Sequence, residues 1–276
     1  LRAIGFEPDR EECARLNQAY GGRNVKIYPY AIGAADGMSR FYHRSNPDAS
    51  GLVPFPDFYE RMALKPSRTP PQESNVATRR LDSVLTEIGA PTPHFLKIDA
   101  EGAESLILEG ASATLASPRL LGLEVETRFF SFGEQGRFRD ISSILDAYGF
   151  SFFDLGLVRH TRAALPDREE LAGTKDYRAW QEGAQVVAAD ALFLRDLVRE
   201  KKEGRHFSDE DRDGIIFLMG LFESYRLFDC AAELVLAFAP IFGPEFDKAR
   251  ILDFIAKQAY GAESYEAYMA GLKERN

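Results

Sequence analysis

His94-Phe-Leu-Lys-Ile-Asp-Ala-Glu-Gly-Ala-Glu104 decides how this chain of 276 residues is read. The apolar run Phe95 to Ile98 has the length and composition of a short buried strand. It stops at Asp99. Glu101, Gly102 and Glu104 follow, then a helical pattern of Leu106, Ile107 and Leu108 that ends at Gly110. A strand that ends in a carboxylate and turns directly into a helix is the site layout of an open α/β sheet, whose ligands bind outside the carboxyl ends of the strands. Three carboxylates within six residues repel one another unless a ligand or counter-charge uses them.

Outward from this stretch the pattern alternates. Leu1 to Phe6 reads as a strand closed by Glu7. Pro8 suits the first turn of a helix, where its missing N–H is not needed. Cys13, Leu16 and Tyr20 mark that helix, and Gly21-Gly22 ends it. Val25 to Ala31 reads as a second strand. Asp36-Gly37 is a hairpin signal, with Ser39 to His43 as the returning strand. Residues 44 to 75 hold six of the fourteen prolines and read as an ordered loop or a mobile lid. Leu81, Val84, Leu85 and Ile88 predict a helix ending at Gly89. Strands are expected at 94–99 and 120–126, a helix over Phe138 to Tyr148, and closing strands over Phe150 to Leu155 and Val186 to Leu194. Strand and helix in this order imply a mostly parallel sheet wrapped by helices.

The character changes after Arg195. Lys201-Lys-Glu-Gly-Arg205 is a polar linker, and Ser208-Asp-Glu-Asp211 looks like a helix cap with an acidic first turn. Residues 209 to 274 show only helical periodicity, interrupted at Pro240 and Gly243-Pro244. The expected organisation is an α/β domain over 1–197 and an all-helical subdomain over 198–276. That subdomain serves acceptor access or self-association into homo-oligomers, because it carries no clustered acid-base set.

Composition excludes several classes. The net charge of −9 and pI near 5.1 argue against nucleic acid or anionic lipid as partner. No run approaches the roughly 18 apolar residues of a membrane span. The two cysteines, Cys13 and Cys230, are too few and too far apart for a disulfide framework or a zinc site. A reducing compartment, and so a cytoplasmic location, is the expectation.

Leu96-Lys-Ile-Asp-Ala-Glu-Gly-Ala-Glu104, with Glu109-Gly-Ala111 one helix further on, resembles the signature of the FkbM-type methyltransferases. These are class I enzymes that use S-adenosyl-L-methionine, mostly to methylate hydroxyl oxygens. Ala3-Ile-Gly-Phe-Glu-Pro8, Tyr30-Ala-Ile-Gly33, Arg80-Leu-Asp-Ser-Val84, Leu123-Glu-Val-Glu126, Ile144-Leu-Asp-Ala-Tyr-Gly-Phe150 and Asp190-Ala-Leu-Phe-Leu-Arg195 resemble other parts of the family in the same order. The resemblance implies a Rossmann-like sheet with an antiparallel last strand. It also implies an earlier strand and glycine-rich turn before residue 1, so the chain is expected to be a fragment that lacks its first strand-helix unit.

The candidate site follows from both readings. An acid at the end of an early strand, Glu7, can accept hydrogen bonds from ribose hydroxyls; a plain acid near a helix N-terminus is the simpler alternative. The resemblance places Glu7 with Pro8, and Ala31 with Ile32, along the cofactor, the latter pair at the adenine edge. Asp99 is expected to face the cofactor and Glu101 the acceptor, where deprotonating an alcohol needs a nearby base. Glu104 is equally a helix-cap acid. Glu126, at the end of its strand, is a further substrate-side or metal-ligand candidate, and no metal is assigned. Lys97 points away from Ile98 and pairs with one of the acids. Asp36 carries no catalytic weight, and His94 lies at the far end of its strand. The acceptor is expected to be a small molecule or glycan. An NAD-linked oxidoreductase would share the ribose acid but has no need for the central acidic motif. A non-catalytic binding module is the third possibility.

Overall fold

The structure is a computed structural model that describes residues 2–44, 50–54, 61–62, 72–130, 136–167 and 183–273. Much of the proline-rich segment falls outside them. The chain divides into two compact units, Leu1–Leu194 and Arg195–Asn276.

In the first unit, β1 (Ala3–Phe6) pairs in parallel with β2 (Val25–Tyr28). Helix α1 (Arg10–Tyr20) connects them, and its N-cap Asp9 accepts hydrogen bonds from the N–H groups of Glu11 and Glu12. Pro8 therefore stands just before the cap and not in the first turn. The second strand does not run through to Ala31. Pro29 has no N–H to donate to a ladder, and β3 (Ala31–Ile32) begins afresh beyond it.

β3 pairs in parallel with β5 (Gln72–Arg79), and β5 pairs antiparallel with β4 (Gly37–His43). This corrects two expectations. Asp36-Gly37 does not close a hairpin of β3 on β4, because β5 lies between them. Residues 72 to 75, read as the end of the loop, belong to strand β5. Its sequence is polar, and it is held by ladder pairing with β4 rather than by an apolar face. Asp36 instead serves the start of α2 (Leu81–Glu87): Oδ1 accepts from the Arg80 N–H and Oδ2 from the Ser83 hydroxyl.

The third sheet has the order β6-β7-β9-β8. β6 (Phe95–Ile98) is parallel to β7 (Gly122–Arg128). β9 (Gln185–Arg195), the last strand, is antiparallel to β7 as expected. β8 (Phe150–His160) forms the outer edge and is longer than its apolar start suggested. The strands thus fall into three sheets and not one continuous sheet. A shared core joins them: Ile32, Ile98, Val125, Ile141, Leu145 and Phe193 are buried together, with Phe6 and Tyr30 packed against them. Because strand side chains alternate, Leu123 and Val125 of β7 enter this core while Glu124, Glu126 and Arg128 line the other face.

Two short helices, α3 (Glu104–Glu109) and α4 (Ser112–Ala116), follow β6. The chain breaks between them at Gly110, where an added Cβ would lie 2.1 Å from the Gly33 carbonyl oxygen. Asp82 of α2 caps α4, accepting from the N–H groups of Ala113 and Thr114 at 2.8 and 2.9 Å. Helix α5 (Phe138–Ala147) then covers the apolar face of the sheet with Ile141 and Leu145.

The second unit is helical throughout its described residues: α6 (Leu197–Lys202), a short 3-10 turn at Asp209–Asp211, α7 (Arg212–Ser224), α8 (Phe228–Phe242), α9 (Lys248–Tyr260) and α10 (Tyr265–Lys273). Ser208 and Asp211 form the capping box expected there. Pro240, expected to interrupt the helix, lies inside the last turns of α8, which ends at Gly243. Ile215, Leu218, Leu234, Val235, Phe238 and Leu252 form the buried side of these helices.

Candidate active site

The charged face of β7 meets the turn after β6. Asp99 ends that strand, and the chain then turns through Glu101 at φ 52° and Gly102 at φ 102°. Glu104, fully buried, draws this turn around its own carboxylate: Oε1 accepts from the N–H groups of Ala100 and Gly102 at 3.1 and 3.0 Å. The acid that sequence reading left even between cap and site is therefore the anchor of the turn.

Arg128 is 1% exposed and lies among three glutamates. Its Nη2 is 3.1 Å from Glu101 and 3.0 Å from Glu126, and its Nη1 is 3.8 Å from Glu104. It ends strand β7, two residues beyond the expected end at 126. Lys97 serves the neighbouring acids. Its Nζ donates to Glu124 at 2.6 Å and lies 3.6 Å from both Asp99 and Asp190.

Carboxylate oxygens of Asp99, Glu101 and Glu126 all lie within 4.8 Å of one another. These are the three acids that the sequence proposed as catalytic, and the fold brings them together. A hard divalent cation takes roughly six to eight oxygens, and Arg128 already supplies an internal counter-charge, so the clustering by itself assigns no metal.

Crowding shifts the acids. Burial, reinforced by Glu101, Glu104 and Asp99, outweighs the pull of Arg128 and pushes the Glu126 carboxyl up to about 8. Burial likewise raises Glu101 and Glu104 against the lowering influence of Arg128. For Lys97, burial works to lower the ammonium, but the hydrogen bond to Glu124 and the charges of Asp190 and Asp99 win, and its pKa rises. A carboxyl that titrates near neutral pH beside partly exposed acids can exchange a proton with a bound hydroxyl.

The cofactor-side candidates lie on other sheets. Glu7 follows β1 and is half-buried, with Oε1 accepting from the Asp9 N–H at 2.8 Å. Burial raises its pKa, that hydrogen bond lowers it, and the charges of Asp9 and Glu12 add to the rise. Ala31 and Ile32 are both buried in β3, with Ile32 in the shared core. His43 bonds to Ser74 through Nε2 at 2.7 Å. The start of the proline-rich segment does reach the acids: a Cβ on Gly51 would lie 3.2 Å from the Glu101 Cβ.

Sequence reading missed Arg128 and Asp190. Arg128 had a usable signal, since strand alternation from Glu124 and Glu126 places position 128 on the same face. Asp190 had none before the register of β9 was known, which sets it opposite Glu126.

Residues 2–152, more than half of the chain, match the Methyltransferase FkbM domain. The chain belongs to the FkbM methyltransferase family. The match contains β6, the acidic turn and the whole of β7. Among solved structures, a methyltransferase FkbM from Methylobacillus flagellatus KT is similar at 15% identity over 70% of this chain and 36% of that one, with a TM-score of 0.35. The matched part is thus about a third of that protein's length, and the likeness is too distant to bear on the site. No protein of curated function matches the chain. Within the FkbM match, the acids that the fold gathers are those of the Asp99-x-Glu-Gly-x-Glu104 turn, joined by Glu126. No helix among the described residues is long and apolar enough to cross a membrane.

Proposed function

We propose that this FkbM chain acts in S-adenosyl-L-methionine-dependent O-methylation of a hydroxyl of a sugar, glycan or secondary metabolite. In this reading residues 1–197 are the methyltransferase domain in a Rossmann-like arrangement, and 198–276 are a helical subdomain. The observation that carries it is the convergence of Asp99, Glu101 and Glu126 at the end of the strand that bears the family motif.

The donor set fits the cofactor. Six carboxyl groups, those of Asp99, Glu101, Glu104, Glu124, Glu126 and Asp190, surround Lys97 and Arg128; with Glu126 largely neutral the other five still outnumber the two cations, and such surplus negative charge favours a sulfonium cation over an anionic ligand. Glu7 and Pro8 would hold the ribose, Ala31 and Ile32 the adenine edge, and Asp99 the cofactor side of the acid cluster. Bound there, the cofactor supplies an electrophilic methyl group. With the cofactor held there, Glu101 would orient the acceptor hydroxyl and would accept its proton as the oxygen takes the methyl group. Most of the task is placing the oxygen in line at about 3 Å. Glu126, its carboxyl pushed up to about 8, is next in line as proton acceptor where it is ionised.

Titration calorimetry of the full-length protein with S-adenosyl-L-methionine tests the reading. Saturable binding that weakens in Glu7→Ala is the expected result. No binding, or binding of NAD in its place, would remove the methyltransferase assignment.

A further inference from the structure

The left-handed backbone of Glu101 (φ 52°) is a conformation that a side chain with a Cβ rarely adopts. It persists only where the surroundings fix it. Two groups do so here. Glu104 gathers the N–H groups of Ala100 and Gly102, on either side of Glu101, onto one carboxylate oxygen. Arg128 reaches the Glu101 side chain at 3.1 Å and Glu104 at 3.8 Å through its two terminal nitrogens. Arg128 is itself buried at the end of β7, so its fork cannot swing to solvent.

We propose that Arg128 is a positioning residue: by bracing Glu101 and Glu104 from the rigid end of β7, it holds Glu101 in the left-handed turn and fixes where its carboxylate lies. The proposal rests on Glu101 acting at the acceptor side, as above. The charged groups that face Glu101 are Arg128 and Glu126 from β7, Glu104 from α3, Asp99 from the end of β6, and Arg44 beyond β4. The charge of Arg128 acts on Glu101 more strongly than that of Arg44, and a lysine in its place keeps the charge but loses the planar fork that serves two acids at once.

The test uses full-length protein labelled with 13C at the glutamate carboxyls, with the Glu101 resonance identified by its loss in Glu101→Gln. The titration midpoint of Glu101 and the exchange rate of the Gly102 amide hydrogen are followed in the parent, Arg128→Met and Arg128→Lys. Arg128→Met is expected to raise the Glu101 midpoint by about one pH unit or more and to speed Gly102 exchange roughly tenfold. Arg128→Lys should return most of the midpoint while leaving exchange fast. An unchanged midpoint or an unchanged exchange rate in Arg128→Met overturns the proposal. Should that variant fail to fold, Arg128→Lys decides: faster exchange at Gly102 with unchanged exchange in the middle of β7 supports the proposal, and unchanged exchange at both overturns it. Calorimetry with S-adenosyl-L-methionine on the same samples keeps the two questions apart, since loss of binding in the parent sinks the methyltransferase reading without altering the carboxyl result.

Discussion

Glu101 and Glu126 share a cluster but differ in how they are held, and this separates what each substitution does. Glu101 is one-fifth exposed and sits on a turn, whereas Glu126 stands on β7 under heavier desolvation. With Glu101 as base, Glu101→Gln lowers methyl-transfer turnover by roughly 10²–10⁴-fold and leaves the affinity for S-adenosyl-L-methionine close to parental. With Glu7 on the ribose, Glu7→Ala does the reverse, because such a contact is equally strong in ground and transition states. Near-parental turnover in Glu101→Gln, measured alongside calorimetry, would move the base to Glu126 or Asp99. Glu126 also makes a pH prediction. Folding raises its carboxyl from 4.5 to about 8, so between these values the folded chain binds more protons than the unfolded one. Its contribution to stability is complete below the unfolded value and is lost as pH rises through the folded value. The melting temperature should therefore fall from about pH 5 to about pH 9, and Glu126→Gln should flatten that slope. A parental slope in the variant would mean that another group carries the titration.

At the scale of elements, the site depends on how closely α3 and α4 approach β3. Gly110 has an ordinary negative φ, and its small size is required by contact: a Cβ would meet the Gly33 oxygen at 2.1 Å. Both partners are backbone, so neither can rotate away. Gly110→Ala should destabilise by about 2–3 kcal/mol, read as a lower denaturant midpoint with unchanged slope; a loss below about 0.5 kcal/mol would show that the segment shifts freely. Elements such as these differed in how far the sequence revealed them. β6 was legible because four residues of one apolar run end at a carboxylate. β7 and β9 were legible from their length and apolar content. β5 was not, since Gln-Glu-Ser-Asn-Val-Ala-Thr-Arg has no apolar face and becomes a strand only by pairing with β4. The roles of Asp36 and Asp82 were equally hidden. Asp36, between two strands, serves the start of α2, and Asp82, within α2, caps α4; such contacts exist only after folding. The acidic triad was legible residue by residue, but the buried cation between its members was not, because a charged residue at the end of an apolar run ordinarily signals solvent.

At the scale of the molecule, the chain divides into two compact units. The boundary falls at the end of β9, whose ladder with β7 runs to Leu194. A deletion of 198–276 leaves that ladder complete, and the affinity for S-adenosyl-L-methionine should persist; its loss would show that the helical unit takes part in cofactor binding. The position to which the proposed function assigns the proton transfer, Glu101, is also one where the backbone is left-handed. Glu101→Gly would relieve a left-handed residue worth about 1 kcal/mol and remove one of the acids crowded around Arg128. A laboratory selection for heat resistance should therefore enrich glycine at position 101, and each generation so improved would be a better-folded protein with less chemistry left to select.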